Sequence, residues 1–213
     1  MILFLWPWKP VMAEDQLAQI LEGVQKRYSA LPGLAVSYER EVITRSMALL
    51  GVQTQKDIAS GIIYFKPPYS LRVQQETPDP EVVIINEDTL WWYIPQKKQV
   101  YKYPSQKLGQ EMQLLSDIFR GLQKVESRFK MTLVADHTDK GDEIKLVPDP
   151  PWEQIDHIQL WIDPEKYYIR IIETYNYLGG LTRFTLGEPS AQGVFEENFF
   201  HFLVPEGVTV IEE

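Results

Sequence analysis

Cysteine is absent from this chain of 213 residues, which also has no excess of basic residues. Without cysteine, neither a disulfide framework nor a diacylglyceryl anchor is expected, because that anchor is attached to a cysteine side chain. A secreted protein of this size has enough core to fold without disulfides. Its length suits one large domain or at most two small ones.

Positive charge is scarce, and the formal net charge is -9. A nucleic-acid backbone or an anionic membrane surface would repel such a chain within a Debye length of roughly 10 Å. We therefore expect no nucleic-acid partner. Solubility alone is the other explanation of the negative charge.

A membrane-spanning run is also missing, since no stretch approaches the roughly 18 apolar residues that a bilayer requires. The start, "MILFLWPWKPVMAEDQ", has an apolar run from Ile2 to Trp8 and small residues up to Ala13. This pattern is typical of the second half of a secretory signal peptide, with cleavage after Ala13. We expect residues 1–13 to be a truncated signal peptide and 14–213 to be one soluble domain. A frayed N-terminus is the alternative.

Catalytic motifs are lacking as well. There is no GxSxG, no glycine-rich phosphate loop and no cysteine nucleophile. His137, His157 and His201 are scattered without metal-ligand spacing, so we expect no metal site and no cofactor. A pair of glycosidase-like carboxylates stays open as an alternative, because its members need not be adjacent in sequence.

Two segments have the apolar spacing of amphipathic helices. The first has acidic Glu14 and Asp15 near its start, and Pro32-Gly33 ends it. Its apolar stripe consists of Leu17, Ile20, Leu21, Val24 and Tyr28. The second stripe consists of Met112, Leu115, Phe119 and Leu122, widened by Leu114 and Ile118.

Most of the remaining chain is predicted to form strands separated by turn signals such as Lys66-Pro67-Pro68 and Leu178-Gly179-Gly180. Many short strands at regular spacing indicate a large antiparallel sheet, which has to curl, split or close. The predicted strands are residues 35–46, 58–65, 70–76, 81–85, 89–94, 99–103, 128–136, 143–147, 157–162, 167–175, 181–186 and 199–204.

Several of these strands are apolar on both faces. "SYEREVITRS" alternates as a strand with one wet face should, whereas "SGIIYF", "EVVII" and "TLWWYI" do not. One face of such strands can take the helices. The other face takes either a ligand or a second core layer.

The order and spacing of several motifs resemble the periplasmic outer-membrane lipoprotein carriers of the LolA type. The resemblance covers about residues 14 to 210. It rests on Gly61-Ile-Ile-Tyr-Phe-Lys-Pro-Pro68, Leu71-Arg-Val73, Val82-Val-Ile-Ile85, Leu90-Trp-Trp-Tyr93, Leu178-Gly-Gly-Leu-Thr-Arg-Phe184 and Phe200-x-Phe202-x-x-Pro205-x-Gly207-Val-Thr-Val210.

The resemblance implies an α+β fold, mainly antiparallel: an unclosed half β-barrel of about 11 strands, with helices as a lid over its concave face. It implies a periplasmic chaperone of a Gram-negative bacterium that binds lipoprotein acyl chains. Its partners would be an inner-membrane ABC lipoprotein-release complex and an outer-membrane lipoprotein receptor. A monomer is expected, because a shuttle presents its mouth to two partners in turn. The alternatives are a related half-barrel lipid-binding or lipoprotein-sensing protein of the envelope, and a secreted hydrolase.

On this reading the cavity wall is predicted at Ile63, Phe65, Leu71, Val73, Ile84 and Trp92, with Leu71 matching a large apolar residue near the family's cavity mouth. The predicted lid residues are Leu17, Ile20, Leu21, Val24, Met112, Leu115, Ile118 and Phe119. Core packing is the alternative for every one of them. The chain departs from the family at Pro67, where many members have an arginine that holds the lid closed. Proline offers no donor there.

Overall fold

The computed structural model describes residues 10–45, 47, 58–86, 89–104, 110–122 and 125–212, with the side chains of 10–13 and 110–113 outside that description. Within these residues the chain forms one 13-stranded sheet and two α-helices. Helix α1 is Pro10–Ser29 and helix α2 is Gln110–Phe119. In this part of the chain, neither helix is long and apolar enough to cross a membrane.

The strands occur along the chain in the order that the sequence predicts, apart from the C-terminal region. They are β1 Leu34–Ile43, β2 Ile58–Lys66, β3 Ser70–Thr77, β4 Glu81–Ile85, β5 Thr89–Ile94, β6 Gln99–Pro104, β7 Phe129–Thr138, β8 Gly141–Pro148, β9 Ile155–Ile162, β10 Ile169–Asn176, β11 Leu181–Leu186, β12 Ser190–Ala191 and β13 Thr209–Glu212.

Neighbouring strands in the sheet are nearly always antiparallel. The spatial order is β13-β6-β5-β4-β3-β2-β1-β11-β10-β9-β8-β7, with the short β12 paired to β1. Only the pair β13–β6 is parallel among the strands described. The terminal strands of this order, β13 and β7, are not paired with each other in the described sheet, so the barrel is unclosed. The predicted α+β half-barrel is therefore confirmed.

The face of the sheet that the helices cover, here called the inner face, carries continuous apolar rows. Directly opposed residues of paired strands share a face. One row runs across Val36, Ile63, Val73, Val83 and Trp92. The next runs across Leu34, Phe65, Leu71, Ile85 and Leu90. Apart from Trp92, the residues of these rows pack with the helix stripes in one core cluster.

On the opposite, outer face, the region around β2 to β5 is covered by the C-terminal aromatic segment, which comprises Phe195, Phe199, Phe200 and Phe202. The ring of Phe199 packs edge-on to Tyr64 of β2, with the ring centroids 5.0 Å apart. Phe202 stacks on Trp91 of β5 at 5.5 Å. Strands β2, β4 and β5 have apolar residues on both faces, and both faces are covered here.

The prediction of a strand at residues 199–204 is wrong. The backbone N–H of Phe199 donates to the carbonyl of Glu196, and that of His201 donates to the carbonyl of Asn198, so the chain turns here. The aromatic side chains pack on the outer face instead of pairing in the sheet. Only the following Thr209–Glu212 forms a strand, β13, along β6.

Helix α1 is fixed to the sheet by packing and by specific hydrogen bonds. The buried Tyr28 hydroxyl accepts a hydrogen bond from the backbone N–H of Ile169 at 3.1 Å. Gln16 donates to Asp136 at 3.0 Å, and Arg27 pairs with Glu188 at 3.5 Å. Both ends of α1 are therefore tied to strands or loops distant in sequence.

Helix α2 has fewer polar ties. The Asp117 carboxylate accepts a hydrogen bond from Arg128 at 2.5 Å, and burial raises the pKa of that carboxyl. Its apolar stripe, Leu114, Leu115, Ile118 and Phe119, lies in the core cluster. The described part of α2 is held mainly by apolar contact.

Candidate functional site

A cavity of about 380 Å³ lies between the inner face and helix α2. Its volume is within the roughly 300–1,000 Å³ range of small-molecule sites. Apolar and aromatic side chains form most of the wall. The lining residues are Tyr38, Arg40, Val73, Gln75, Glu81, Val83, Leu90, Trp92, Tyr103, Leu115 and Phe184.

Next to the cavity, the first half of β2 has very small side chains. On the inner face, Tyr38 of β1 lies opposite Gly61, and Arg40 lies opposite Ala59. Gly61 in turn lies opposite Gln75 of β3. At these positions β2 has almost no side-chain volume, so there is space above it between the larger residues of β1 and β3. A side chain at Gly61 would meet the carbonyl oxygen of Gln74 at 2.0 Å, so this position is restricted to glycine.

The roof of the cavity is Leu115 of α2, which is only 3% exposed. Next to it, Phe119 packs against Phe65 with ring centroids 6.1 Å apart. Helix α2 thus covers part of the cavity with the same kind of apolar surface that forms its floor.

One end of the cavity is polar. Arg40 and Glu81 both line it. The Glu81 carboxylate accepts a hydrogen bond from Trp92 Nε1 at 2.8 Å. Burial raises the pKa of Tyr38, and the Arg40 charge opposes that rise. The cavity therefore combines an apolar body with a few charged and hydrogen-bonding groups.

The predicted wall residues occupy three different positions. Val73 and Trp92 line the cavity. Ile63, Phe65 and Leu71 share the inner face but are fully buried in the core cluster and do not line the cavity.

Ile84 lies on the outer face. The register pairs it with Arg72 on one side and Trp91 on the other, and both contact the C-terminal aromatic segment. Its neighbours Val83 and Ile85 face inward. A shift of one residue in the assumed phase moves a side chain to the other face of a strand.

The predicted lid residues also divide. Leu115 lines the cavity, whereas Ile20, Val24, Ile118 and Phe119 are buried in the core. Leu17 and Leu21 are partly buried against that core. The side chain of Met112 lies outside the described part of the structure. Whether any of these residues acts as a lid stays a prediction.

Several lining residues were not among the sequence predictions. They are Tyr38, Arg40, Gln75, Glu81, Val83, Leu90, Tyr103 and Phe184. The alternation of "SYEREV" contained a usable signal, since it places Tyr38 and Arg40 on one face of β1. Recognising that this is the inner face requires the pairing with Gly61 and Ala59, which the sequence does not reveal.

The turn that contains Pro67 contacts Arg120, the residue that follows helix α2, through the ring of Tyr69. The Arg120 guanidinium carbon lies 5.4 Å from the ring centroid of Tyr69. Arg72, the nearby cation on β3, donates from Nη1 to the carbonyl oxygen of Phe199 at 2.9 Å and so serves the outer face. A cation thus bridges the helix and this turn, although no arginine is present in the turn itself.

Two further features lie away from the cavity. A second cavity of about 450 Å³ lies between α1 and the segment after α2, lined in part by Leu21, Glu22 and Glu126. His157 stacks on Tyr175 at 4.4 Å and pairs with Asp156. In the described residues, no three His, Asp or Glu side chains are grouped to hold a metal ion.

The family model for the outer membrane lipoprotein carrier protein LolA matches residues 49–203. This range contains most of the cavity wall and all of α2. No curated protein matches the chain.

Solved structures resemble this chain at low sequence identity. An uncharacterized conserved protein from Thermus thermophilus has a TM-score of 0.60 at 14% identity, over 93% of this chain and 99% of that one. The LolA superfamily protein NE2245 from Nitrosomonas europaea has a TM-score of 0.45 at 12% identity, over 85% and 96%. The Mycobacterium tuberculosis lipoprotein LppX has a TM-score of 0.47 at 12% identity, over 83% and 96%.

Proposed function

Because this chain belongs to the LolA family of outer membrane lipoprotein carrier proteins, we propose that it binds lipoprotein acyl chains in the inner-face cavity and carries them through the periplasm. The observation that supports this most directly is the apolar cavity under α2, roofed by Leu115. The proposed activity is binding and release, without a chemical step.

The energetics of acyl chains require such a cavity. Each methylene exposed to water costs about 0.8 kcal/mol, so a long acyl chain costs on the order of 10 kcal/mol to carry unshielded. Val73, Val83, Leu90 and Trp92 offer a surface that removes part of this cost. The remaining surface has to come from the core beneath α2.

Helix α2 is the proposed lid. Its apolar stripe covers the cavity when no cargo is bound, and acyl chains would replace it on the same surface. Lid and cargo then compete, and the net affinity stays modest enough for release without ATP. Helix α1, with its hydrogen bond from Ile169 to Tyr28, is the less movable of the two.

The proposed partners follow from the family's role. Cargo would arrive from an inner-membrane ABC lipoprotein-release complex and leave to an outer-membrane lipoprotein receptor. A monomer suits this exchange, because one cavity mouth has to face two partners in turn. The proposed compartment is the periplasm of a Gram-negative bacterium.

The test is retention of a synthetic triacylated lipoprotein peptide by the purified protein, with the unacylated peptide as the reference. Leu115→Gln places a polar group in the cavity roof and weakens the contact of the lid with the cavity. Because lid and cargo compete, the variant should retain the acylated peptide about tenfold more tightly than the wild type. The matched control is Leu114→Gln, because Leu114 is equally buried on the same helix but does not line the cavity.

Both variants should lose stability, since each buries a polar amide in the core. Melting temperatures measured on the same preparations separate this loss from binding. If Leu115→Gln and Leu114→Gln retain the peptide equally well, Leu115 is an ordinary core residue. If the wild type does not retain the acylated peptide better than the unacylated one, the proposed function fails.

A further inference from the structure

Arg40 is a charged side chain on the inner face of the sheet, where most neighbours are apolar. It lies between Ala59 of β2 and Phe184 of β11 in the sheet register. It lines the cavity together with Phe184. A cation in this position requires a physical explanation, because it is costly to remove such a group from water without a partner.

The guanidinium of Arg40 has no partner among the described residues. Its Nε atom is shielded from solvent and donates to no hydrogen-bond acceptor. Arg72 and Arg27 also have a shielded Nε, but another nitrogen of each is engaged, with the Phe199 carbonyl and with Glu188 respectively. Buried polar atoms nearly always have hydrogen-bond partners, so the shielded Nε of Arg40 is an exception, on a side chain that is itself only partly buried.

The polar neighbours of Arg40 in the cavity do not neutralise it by contact. No ion pair joins it to Glu81 in the described structure, and one oxygen of Glu81 is occupied by Trp92 Nε1. The side-chain amide of Gln75 donates to the carbonyl of Asp79 at 2.8 Å. Glu81 does lower the overall positive potential of this end. Affinity for an anion therefore has to come from direct contact with Arg40.

We propose that Arg40 binds the anionic head group of an amphiphile whose acyl chain lies along Val73, Val83 and Leu90. The head group is a carboxylate or a phosphate, both of which match the planar donor fork of a guanidinium. This inference rests on the proposed function only in requiring that the cavity takes an acyl chain. It adds a binding site for the negative charge at one end of the acyl chain.

The experiment compares amphiphiles that share a chain and differ in charge, below their critical micelle concentrations, by isothermal titration calorimetry. Palmitate is paired with hexadecanol, and palmitoyl lysophosphatidate is paired with palmitoylglycerol. The wild type should bind at least one charged member about tenfold or more tighter than its neutral counterpart, as expected for a hydrogen bond to a charged group. The pair with the larger ratio identifies carboxylate or phosphate as the preferred group.

Arg40→Gln should abolish that ratio by weakening the binding of the charged amphiphiles. Arg40→Lys, which keeps the charge without the fork, should give an intermediate ratio. The matched control is Arg45→Gln, which removes the same charge at an exposed position beyond the end of the same strand. Its charged-to-neutral ratio should equal that of the wild type.

Thermal unfolding of the ligand-free proteins provides the second readout. Arg40→Gln should melt at or above the wild-type temperature, because Arg40 loses no protein partner. A charged-to-neutral ratio that is the same in wild type and Arg40→Gln overturns the inference, while neutral amphiphile binding leaves the proposed function intact. Failure of all four amphiphiles to bind the wild type overturns both.

Discussion

Arg120, the residue that follows helix α2, holds its guanidinium carbon 5.4 Å from the ring centroid of Tyr69 in the turn between β2 and β3. The arginine that the family resemblance leads us to expect in this turn is replaced by Pro67. Here the cation comes from the helix side and the aromatic ring from the turn. We infer that this contact helps to hold α2 over the cavity.

The substitution Tyr69→Ala tests this contact. A cation–π contact at an exposed site contributes about 0.5–1 kcal/mol, and Tyr69 is 48% exposed. If the contact holds α2 closed, uptake of a fluorescent acyl probe should be roughly two- to fivefold faster in stopped-flow mixing, from the same energy range. The melting temperature should fall only slightly.

Tyr177→Ala is the control, because this tyrosine is also exposed but lies in the turn between β10 and β11. Its uptake rate should match the wild type. An uptake rate in Tyr69→Ala no faster than in Tyr177→Ala would show that the Arg120 contact does not restrain α2.

Filling the cavity from its floor provides an independent prediction. Val83 is half-buried and lines the cavity, so the larger side chain of Val83→Phe has free volume to occupy. Acyl-probe affinity should fall about tenfold or more, while the melting temperature stays within a few degrees of wild type. Val134→Phe, on the exposed edge strand β7, should leave affinity unchanged. Unaltered binding in Val83→Phe would mean that the acyl chain binds elsewhere.

The sequence predicts most strands of the sheet and the apolar stripe of α2, because their apolar residues recur at the spacing typical of strands and helices. Leu115, Ile118 and Phe119 follow helical spacing, and all three pack inward. In β1, the alternation of polar and apolar residues matches one covered face. The family motifs added the topology, which no local pattern contains.

The phase of β4 was not predictable in this way. In "EVVII" both faces are apolar, so hydrophobicity does not distinguish Ile84 from Ile85. Both faces are in fact covered: α2 and the core lie on one side, and the C-terminal aromatic segment lies on the other. That segment was itself predicted as a strand, because aromatic residues that pack on a sheet resemble the residues of a sheet.

The polar end of the cavity also required the structure. Arg40 reads as a solvated residue in an alternating strand. The strand pairing places it on the inner face, beside Ala59 and Phe184. Both neighbours are distant in sequence, so the sequence does not reveal this placement.

Gly23 of helix α1 should not tolerate a side chain. A Cβ atom at this position would lie 2.4 Å from Cδ1 and 2.6 Å from Cγ of Tyr167, at the root of that ring. Gly23→Ala gains about 1 kcal/mol in helix propensity, but overpacking costs about 1–3 kcal/mol. We expect a net loss of stability in urea unfolding. Gly193→Ala, with no atom within 4 Å, should be neutral or slightly stabilising. Equal stability in both variants would mean that Tyr167 moves aside freely.

Tyr28 should make the protein sensitive to alkaline pH. Burial raises the pKa of its hydroxyl from 10.0 to about 12, although the hydrogen bond from Ile169 partly opposes the rise. The folded state therefore keeps the proton more tightly than the unfolded state. The stability contributed by this group is complete below pH 10 and is lost as the pH rises from 10 to about 12.

The measurement is urea unfolding from pH 8 to 12, with Tyr28→Phe and Tyr177→Phe as the matched pair. In this window the wild type and Tyr177→Phe should lose about 1.4 kcal/mol per pH unit more than Tyr28→Phe. At pH 8, Tyr28→Phe should be less stable by about 1–3 kcal/mol, because the buried Ile169 N–H loses its acceptor. Parallel pH profiles for all three proteins would show that the Tyr28 hydroxyl titrates normally, and that the anchor of α1 is looser than its geometry indicates.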